Sequence, residues 1–422
     1  MSARQLVALL VVVVLGAGLF LAGRASVSRA PATTSTSPPT VVASSFSPQS
    51  VDFTSAQRGW ALGTTPCHAS SACVSLAKSM DAGRTWSGVS LPKPLVRLAE
   101  RRVLGSPAIL YSVTNGDGTP SLNVRFANAR DGWIYGSVPV PAKVNGSPSV
   151  NFQPVFWSTH DAGLTWKAQP HSWFYSYSET PILDLEATSS TVYLMALNKS
   201  FGVTLESSPV AHDHWRVALT KGLLTPAGGG PLEGAIFFSG SKGWLVEGND
   251  RGVTGSAQLN SAGRWVAWTP PCESVGNSYF APVASTPSHL LVECVMGGYA
   301  SPLSSTAPSG ATIGSTWLYT SENAGRTFTA RTELARNNVY FGPVLASPKA
   351  TTILLTRNIA PRQELVASFD AGHHWTAVYF ASVYFARFVS TSEGVALVRP
   401  SKGPNQLIMT FDGGQHWFPV PF

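Results

Sequence analysis

Five times along this chain the same short pattern returns: a Ser or Thr, an Asp or Asn two places on, a Gly two further, a Thr or His two further again, then at once a Trp or Phe. The copies are Ser79, Asp81, Gly83 and Trp86 in SMDAGRTW, and Thr159, Asp161, Gly163 and Trp166 in THDAGLTW. Ser321, Asn323, Gly325 and Phe328 follow in SENAGRTF, and Ser368, Asp370, Gly372 and Trp375 in SFDAGHHW. Thr410, Asp412, Gly414 and Trp417 close the series in TFDGGQHW. We call each copy a box. A tight turn leaves backbone N–H groups to satisfy, and a short Asp or Asn side chain helped by a hydroxyl accepts them. The Gly takes the positive φ of the turn, and the aromatic packs against a neighbouring sheet. The box Asp therefore reads as a structural acceptor, not a catalyst.

Upstream of the boxes stand blocks of another kind: FTSAQRGWALG (53–63), FANARDGWIYG (126–136), FFSGSKGWLVEG (237–248) and FVSTSEGVALV (388–398). Each reads as strand, tight turn, strand. A third strand runs into the box, and the aromatic opens a fourth. Asp370 to Asp412 spans 42 residues and Asn323 to Asp370 spans 47. Asp81 to Asp161 spans 80, with an insertion at 91–121 taking up the excess. Between Asp161 and Asn323 two degraded boxes fit, SPVAHDHWRVA (208–218), in which Asp213 is taken as the box acid, and LNSAGRWVAW (259–268). A period of 40–50 residues with four strands per unit is the mark of a β-propeller. The predicted fold is all-β: a seven-bladed β-propeller of four-stranded antiparallel blades over 49–422. The blades fall near 51–91, 122–170, 181–219, 234–270, 279–332, 338–379 and 383–421. The units run in phase, so the first and last are expected to meet without exchanging a strand.

Ahead of the ring, Leu6–Ala22 is an uncharged apolar stretch. Its length suits a signal peptide or an uncleaved signal anchor over 1–25, in either case an apolar helix. The Ser/Thr/Pro-rich stretch 26–48 reads as a linker. The body is thus expected outside the cytoplasm, secreted or held to the membrane by one N-terminal helix. Four cysteines suit that compartment. Pairing Cys67 with Cys73 and Cys272 with Cys294 is the simplest of three connectivities. The charge of +7 comes from 29 basic and 22 acidic residues, scattered rather than gathered on one stripe. That argues against a nucleic-acid partner. The densest basic run, Arg97, Arg101 and Arg102, is a candidate for meeting an acidic partner.

On the five boxes the chain resembles the BNR, or Asp-box, repeat propellers of the sialidase and sortilin-like superfamily. The Gly-Trp blocks are similar in style to the non-catalytic propellers of the photosystem II assembly type. The resemblance covers about residues 50–421. The sialidase branch implies an arginine triad, a Tyr nucleophile with a Glu partner, and an acid/base Asp. Its Arg-Ile-Pro motif is missing here. Another glycosidase needs two carboxylates facing across a cleft, and acids are scarce. Asp184 and Glu186 in ILDLEA alternate on one predicted strand, so they share a face. That pattern also suits a strand edge kept soluble by charge. His373, His374 and His416 occupy variable turn positions, and His212 and His214 flank Asp213 without the spacing of a closed metal site. No catalytic residue, metal or cofactor is assigned. The expected function is a non-catalytic, exported binding or assembly module for a protein or cell-envelope glycan. The alternative is a glycoside hydrolase with divergent catalytic residues.

Overall fold

The computed structural model describes residues 45–68, 71–99, 102–103, 106–107, 122–144, 146–169, 182–198, 202–219, 233–249, 252–271, 282–295, 315–335, 340–359 and 362–422. The proposed leader and most of the linker lie outside these residues. Among the described residues no helix is long and apolar enough to cross a membrane.

Seven four-stranded antiparallel sheets form, each from one continuous stretch, with strands following one another in chain order. They cover 47–89, 122–168, 182–217, 233–267, 282–335, 340–379 and 382–420, called blades one to seven below. The first strands of successive blades lie against one another, which puts them at the axis of the propeller. Each blade presents apolar side chains to its neighbours, because a lone four-stranded sheet leaves both faces wet. Trp60, Leu62 and Leu76 of blade one share a core with Leu122, Val124 and Ile134 of blade two. The ring closes the same way. Val51, Phe53 and Trp86 of blade one pack with Val395, Leu407 and Met409 of blade seven, and no strand is exchanged.

The Gly-Trp blocks have a simple physical reason. Phe53 pairs across strands with Gly59, Phe126 with Gly132, Phe238 with Gly243 and Phe388 with Gly394. Each ring lies flat over its glycine: a Cβ there would fall 2.5, 2.4, 2.4 and 2.9 Å from the ring in turn. The next residue, Trp60, Trp133, Trp244 or Val395, points into the core and is buried. This cross-strand pairing of an aromatic with a glycine fixes register on one face and fills the core from the other.

In the first box Gly83 N donates to Ser79 Oγ (2.8 Å), and Thr85 N and its hydroxyl donate to the two Asp81 oxygens (2.9 and 2.6 Å). Trp86 Nε1 returns to Gly83 O at 3.0 Å. Two successive residues, not one, take positive φ: Ala82 at 61° and Gly83 at 76°. Ala162, Ala324 and Ala371 repeat this, and Gly413 holds the position in blade seven. The N–H of that residue docks the box on the hairpin between the first two strands of its own blade. Ala82 reaches Gln57 O (3.0 Å) and Ala162 reaches Arg130 O (2.8 Å). Both turns therefore lie at one end of the propeller. The missing Cβ of the box glycine faces the preceding blade: at Gly163 it would fall 2.6 Å from Val89.

Several sequence expectations change here. His374 and His416 are not at free positions. They replace the box Thr and bond Asp370 and Asp412 through Nδ1 (2.6 Å each). Asp213 is not the box acid of blade three. Val210 stands two places after Ser208, its N–H docks on Ser190 O (2.9 Å), and Asp213 turns instead toward blade two. The insertion carries a seven-residue helix, Lys93–Ala99, which buries Leu95 and Ala99 in the core between blades one and two. Arg97 is exposed on it, Arg102 begins a two-residue strand, and Arg101 lies outside the described residues. No cysteine among the described residues is free; Cys272 lies outside them, so the pairing stays an expectation.

Candidate functional site

One position on the first strand of six blades faces the axis opposite a buried core residue of the second strand. It is Asp52 opposite Trp60, Arg125 opposite Trp133, and Glu186 opposite Tyr193 in blades one to three. It is Phe237 opposite Trp244 and Val283 opposite Leu291 in blades four and five, and Arg387 opposite Val395 in blade seven. A register irregularity between Ala346 and Lys349 takes its place in blade six. Going round from blade seven to blade three the layer reads Arg, Asp, Arg, Glu, with alternating sign.

The four charges meet. Arg125 Nη1 bonds Asp52 Oδ1 at 2.9 Å, Nη2 bonds Glu186, and Nε donates to Leu185 O at 3.3 Å. Arg387 Nη1 lies 3.2 Å from Glu186 Oε1 and 3.8 Å from Asp52 Oδ1. The carboxylates also cap the bare edges of neighbouring first strands. Asp52 Oδ2 accepts Phe126 N (2.7 Å), and Asp184 accepts Leu185 N (2.8 Å) and Ile236 N of blade four (2.7 Å). An inner strand has no sheet partner on its axial side, so these N–H groups need side-chain acceptors. Asp184 and Glu186 are thus nearly buried structural ties, not a solvated strand edge.

Burial dominates the electrostatics. It raises the carboxyls of Asp52 and Asp184 above their usual range, against the pull of Arg125 and the backbone N–H bonds. It pushes Glu186 up to about 8, again against Arg125. Burial alone would lower the Arg125 guanidinium, but Glu186 and Asp52 more than offset it, and Arg125 stays charged.

The layer forms the wall of a cavity of about 780 Å³. Its two sides differ. Arg125, Glu186 and Arg387 line one side, and Phe237, Val283 and Leu345 the other. Its rim carries hydroxyls from the first hairpins of blades three and seven, Thr188, Ser189, Ser390 and Thr391. The cavity therefore opens at the end that also carries the box turns. That volume suits a small ligand or a short chain segment.

The sequence reading singled out Asp184 and Glu186 as a pair on one strand face but did not place them at the axis, and it missed Asp52, Arg125 and Arg387. The signal lay one residue before the Phe that pairs with each block's glycine, where VDF, VRF, IFF and ARF hold Asp52, Arg125, Phe237 and Arg387. Arg97 belongs to the inserted helix and does not line the cavity. Among the described residues no group of three or more metal-binding side chains gathers. The His212 and His214 rings stand 5.9 Å apart on the outer turn of blade three.

No family model matches the chain, and no curated protein sequence matches it. Solved structures do. YCF48 bound to D1 peptide aligns at 14% identity and a TM-score of 0.50, over 89% of this chain and 96% of that one. Prolyl oligopeptidase B from Galerina marginata aligns at 10% identity and 0.51 over 89% of this chain, which spans half (50%) of that enzyme. The β-propeller domain of the trilobed protease from Pyrococcus furiosus aligns at 8% and 0.49, over 89% and 98%. At such identities the likeness is one of fold, and the fold is a β-propeller.

Proposed function

We propose that this chain is a non-catalytic BNR-type propeller that binds a protein or cell-envelope glycan in the cavity at the box end of its axis. The observation that carries the reading is the commitment of the carboxylates around the axis, of which Glu186 lines the cavity. Glu186 serves two arginines, Asp52 serves Arg125 and a backbone N–H, and Asp184 serves two backbone N–H groups. Glycoside hydrolysis needs one carboxyl free to protonate a leaving group and a second free to attack or activate water. In this reading the protein works outside the cytoplasm, secreted or tethered by its N-terminal segment. YCF48, similar in fold, is a propeller seen with a peptide bound, which suits a polypeptide ligand.

One observation favours the hydrolase alternative: Glu186, pushed up to about 8, is protonated near neutral pH as a general acid must be. Assaying the purified chain against sialosides and plant and bacterial cell-wall glycans separates the two. Binding without turnover is the expected result. Turnover abolished by Glu186→Gln would overturn the non-catalytic reading.

A further inference from the structure

Arg387 is the one charged member of the axial layer that is partly open, with a third of its side chain exposed. Only Nη1 is engaged, by Glu186 and at longer range Asp52. Among the described residues its Nε and Nη2 meet no acceptor. These two N–H groups form the parallel edge of the guanidinium that receives a carboxylate side-on through two bonds. Arg387 lines the cavity. Across from it blades four to six present Phe237, Val283, Ala284, Leu345 and Pro348, with no charged group among them. The cavity thus offers one donor fork and an apolar wall facing it.

We propose that the cavity binds an amphipathic monocarboxylate, its carboxylate on the Nε–Nη2 edge of Arg387 and its apolar body against blades four to six. This rests on the binding-module reading and names its ligand chemistry. Two sources share that chemistry: the free C-terminus of a polypeptide ending in an apolar residue, and a free fatty acid. A neutral sugar leaves the fork unfilled and loses the bidentate pairing. A cation meets Arg125 and Arg387 first. The ligand carboxylate and Glu186 then compete for Arg387, so binding favours the protonated form of Glu186. The other charged or titratable groups facing this point are Asp52 of blade one, Arg125 and Tyr135 of blade two and Asp184 of blade three. All are more deeply buried than Arg387.

The test is calorimetric titration of the full chain with four probes: a tripeptide ending in Leu with a free carboxylate, the same tripeptide amidated, decanoate, and a neutral oligosaccharide. The free acid is expected to bind at least about tenfold more tightly than the amide, as a charge-assisted pair demands. Arg387→Gln should bring the free acid down to the amide's level, with Arg387→Lys in between. Should Arg387→Gln fail to fold, the contrast between acid and amide on the unmodified chain still decides. The tighter of tripeptide and decanoate identifies the source. Equal affinity for acid and amide, or no binding of either acid, would overturn the proposal. Saturable binding of a neutral oligosaccharide with no response to the acids would overturn it while leaving the binding-module reading standing. Glycan turnover would remove both.

Discussion

The joint between blades two and three and the joint between blades four and five are built from opposite chemistry. Blades two and three are tied at the axis by ions, Arg125 to Glu186 and to the carbonyl of Leu185. Farther out His160 of blade two lies between Asp131 and Asp213 (2.8 and 3.3 Å), and Lys167 also reaches Asp213. Blades four and five are tied by neutral donors on the box turn. Trp268 Nε1 reaches Gly325 O at 3.0 Å, and Gln258 reaches Ala324 O at 2.7 Å. The reason sits in the fifth-blade box. In blades one and seven the box Trp bonds the carbonyl of its own box Gly. Blade five has Phe328 there, which has no N–H, and an indole from blade four supplies the missing donor. Blade four, whose own turn closes on Asn260 instead of a box Asp, lends Trp268 to its neighbour. One ring thus holds together by two means, one sensitive to protons and salt and the other indifferent to both.

The largest expected effect comes from breaking the ionic joint. Arg125→Met removes the buried arginine that Asp52 and Glu186 share and leaves them only the more exposed Arg387. Loss of one member of a buried ion network costs about 3–5 kcal/mol, read as a lower midpoint in denaturant unfolding. Next comes the neutral joint. Trp268→Phe leaves the buried Gly325 carbonyl without its donor, at about 1–3 kcal/mol. Adding Phe328→Trp should restore most of that, because it rebuilds the arrangement of blades one and seven. A double-mutant cycle with no coupling would show that the indole is packing alone.

The comparison sharpens with pH. Glu186 has a folded value of about 8 against 4.5 for a free Glu. Between those values the folded chain holds a proton that the unfolded chain has released, so stability should fall as pH rises through the window. Glu186→Gln should flatten that slope. The boxes act in the opposite sense. The Thr85 hydroxyl holds Asp81 below its usual value, and the His374 backbone N–H does the same for Asp370. Their contribution is present above about pH 4 and is lost as pH falls below it. A chain whose stability is flat from pH 4.5 to 8 would contradict the ionic account of the axis. The smallest effect is a gain. Ala82→Gly relieves a left-handed residue, and Gly413 already fills that position in blade seven. The left-handed conformation costs an L-residue about 1–2 kcal/mol, partly offset by the looser unfolded chain of Gly. A rise of a degree or two in melting temperature is the expected reading.

The blades were legible because their signals are local. A turn, a cross-strand pair of Phe and Gly, and an aromatic after a box each lie within a dozen residues. The axial layer was not, because its members come from strands far apart in sequence and touch only once the ring closes. Asp52 and Arg387 stand 335 residues apart and still lie 3.8 Å from one another. Asp184 and Glu186 stood out as a pair, but alternation alone does not say whether the shared face meets water or an arginine. Asp213 misled for a related reason. An acid beside a degraded box looks like the box acid until the turn's donors are traced to Ser208 instead.

The seam between blades one and seven has a further consequence. Phe46 and Phe422 pack with ring centroids 4.6 Å apart, and Asn405 N donates to Ser47 Oγ at 3.0 Å. The two ends of the ring are therefore neighbours, and every blade is whole on either side of every linker. Such a ring has no privileged starting point. A circular permutant that joins 422 to 45 and opens between blades three and four should keep the same seven sheets, because the cut severs no sheet and the new junction spans residues already in contact.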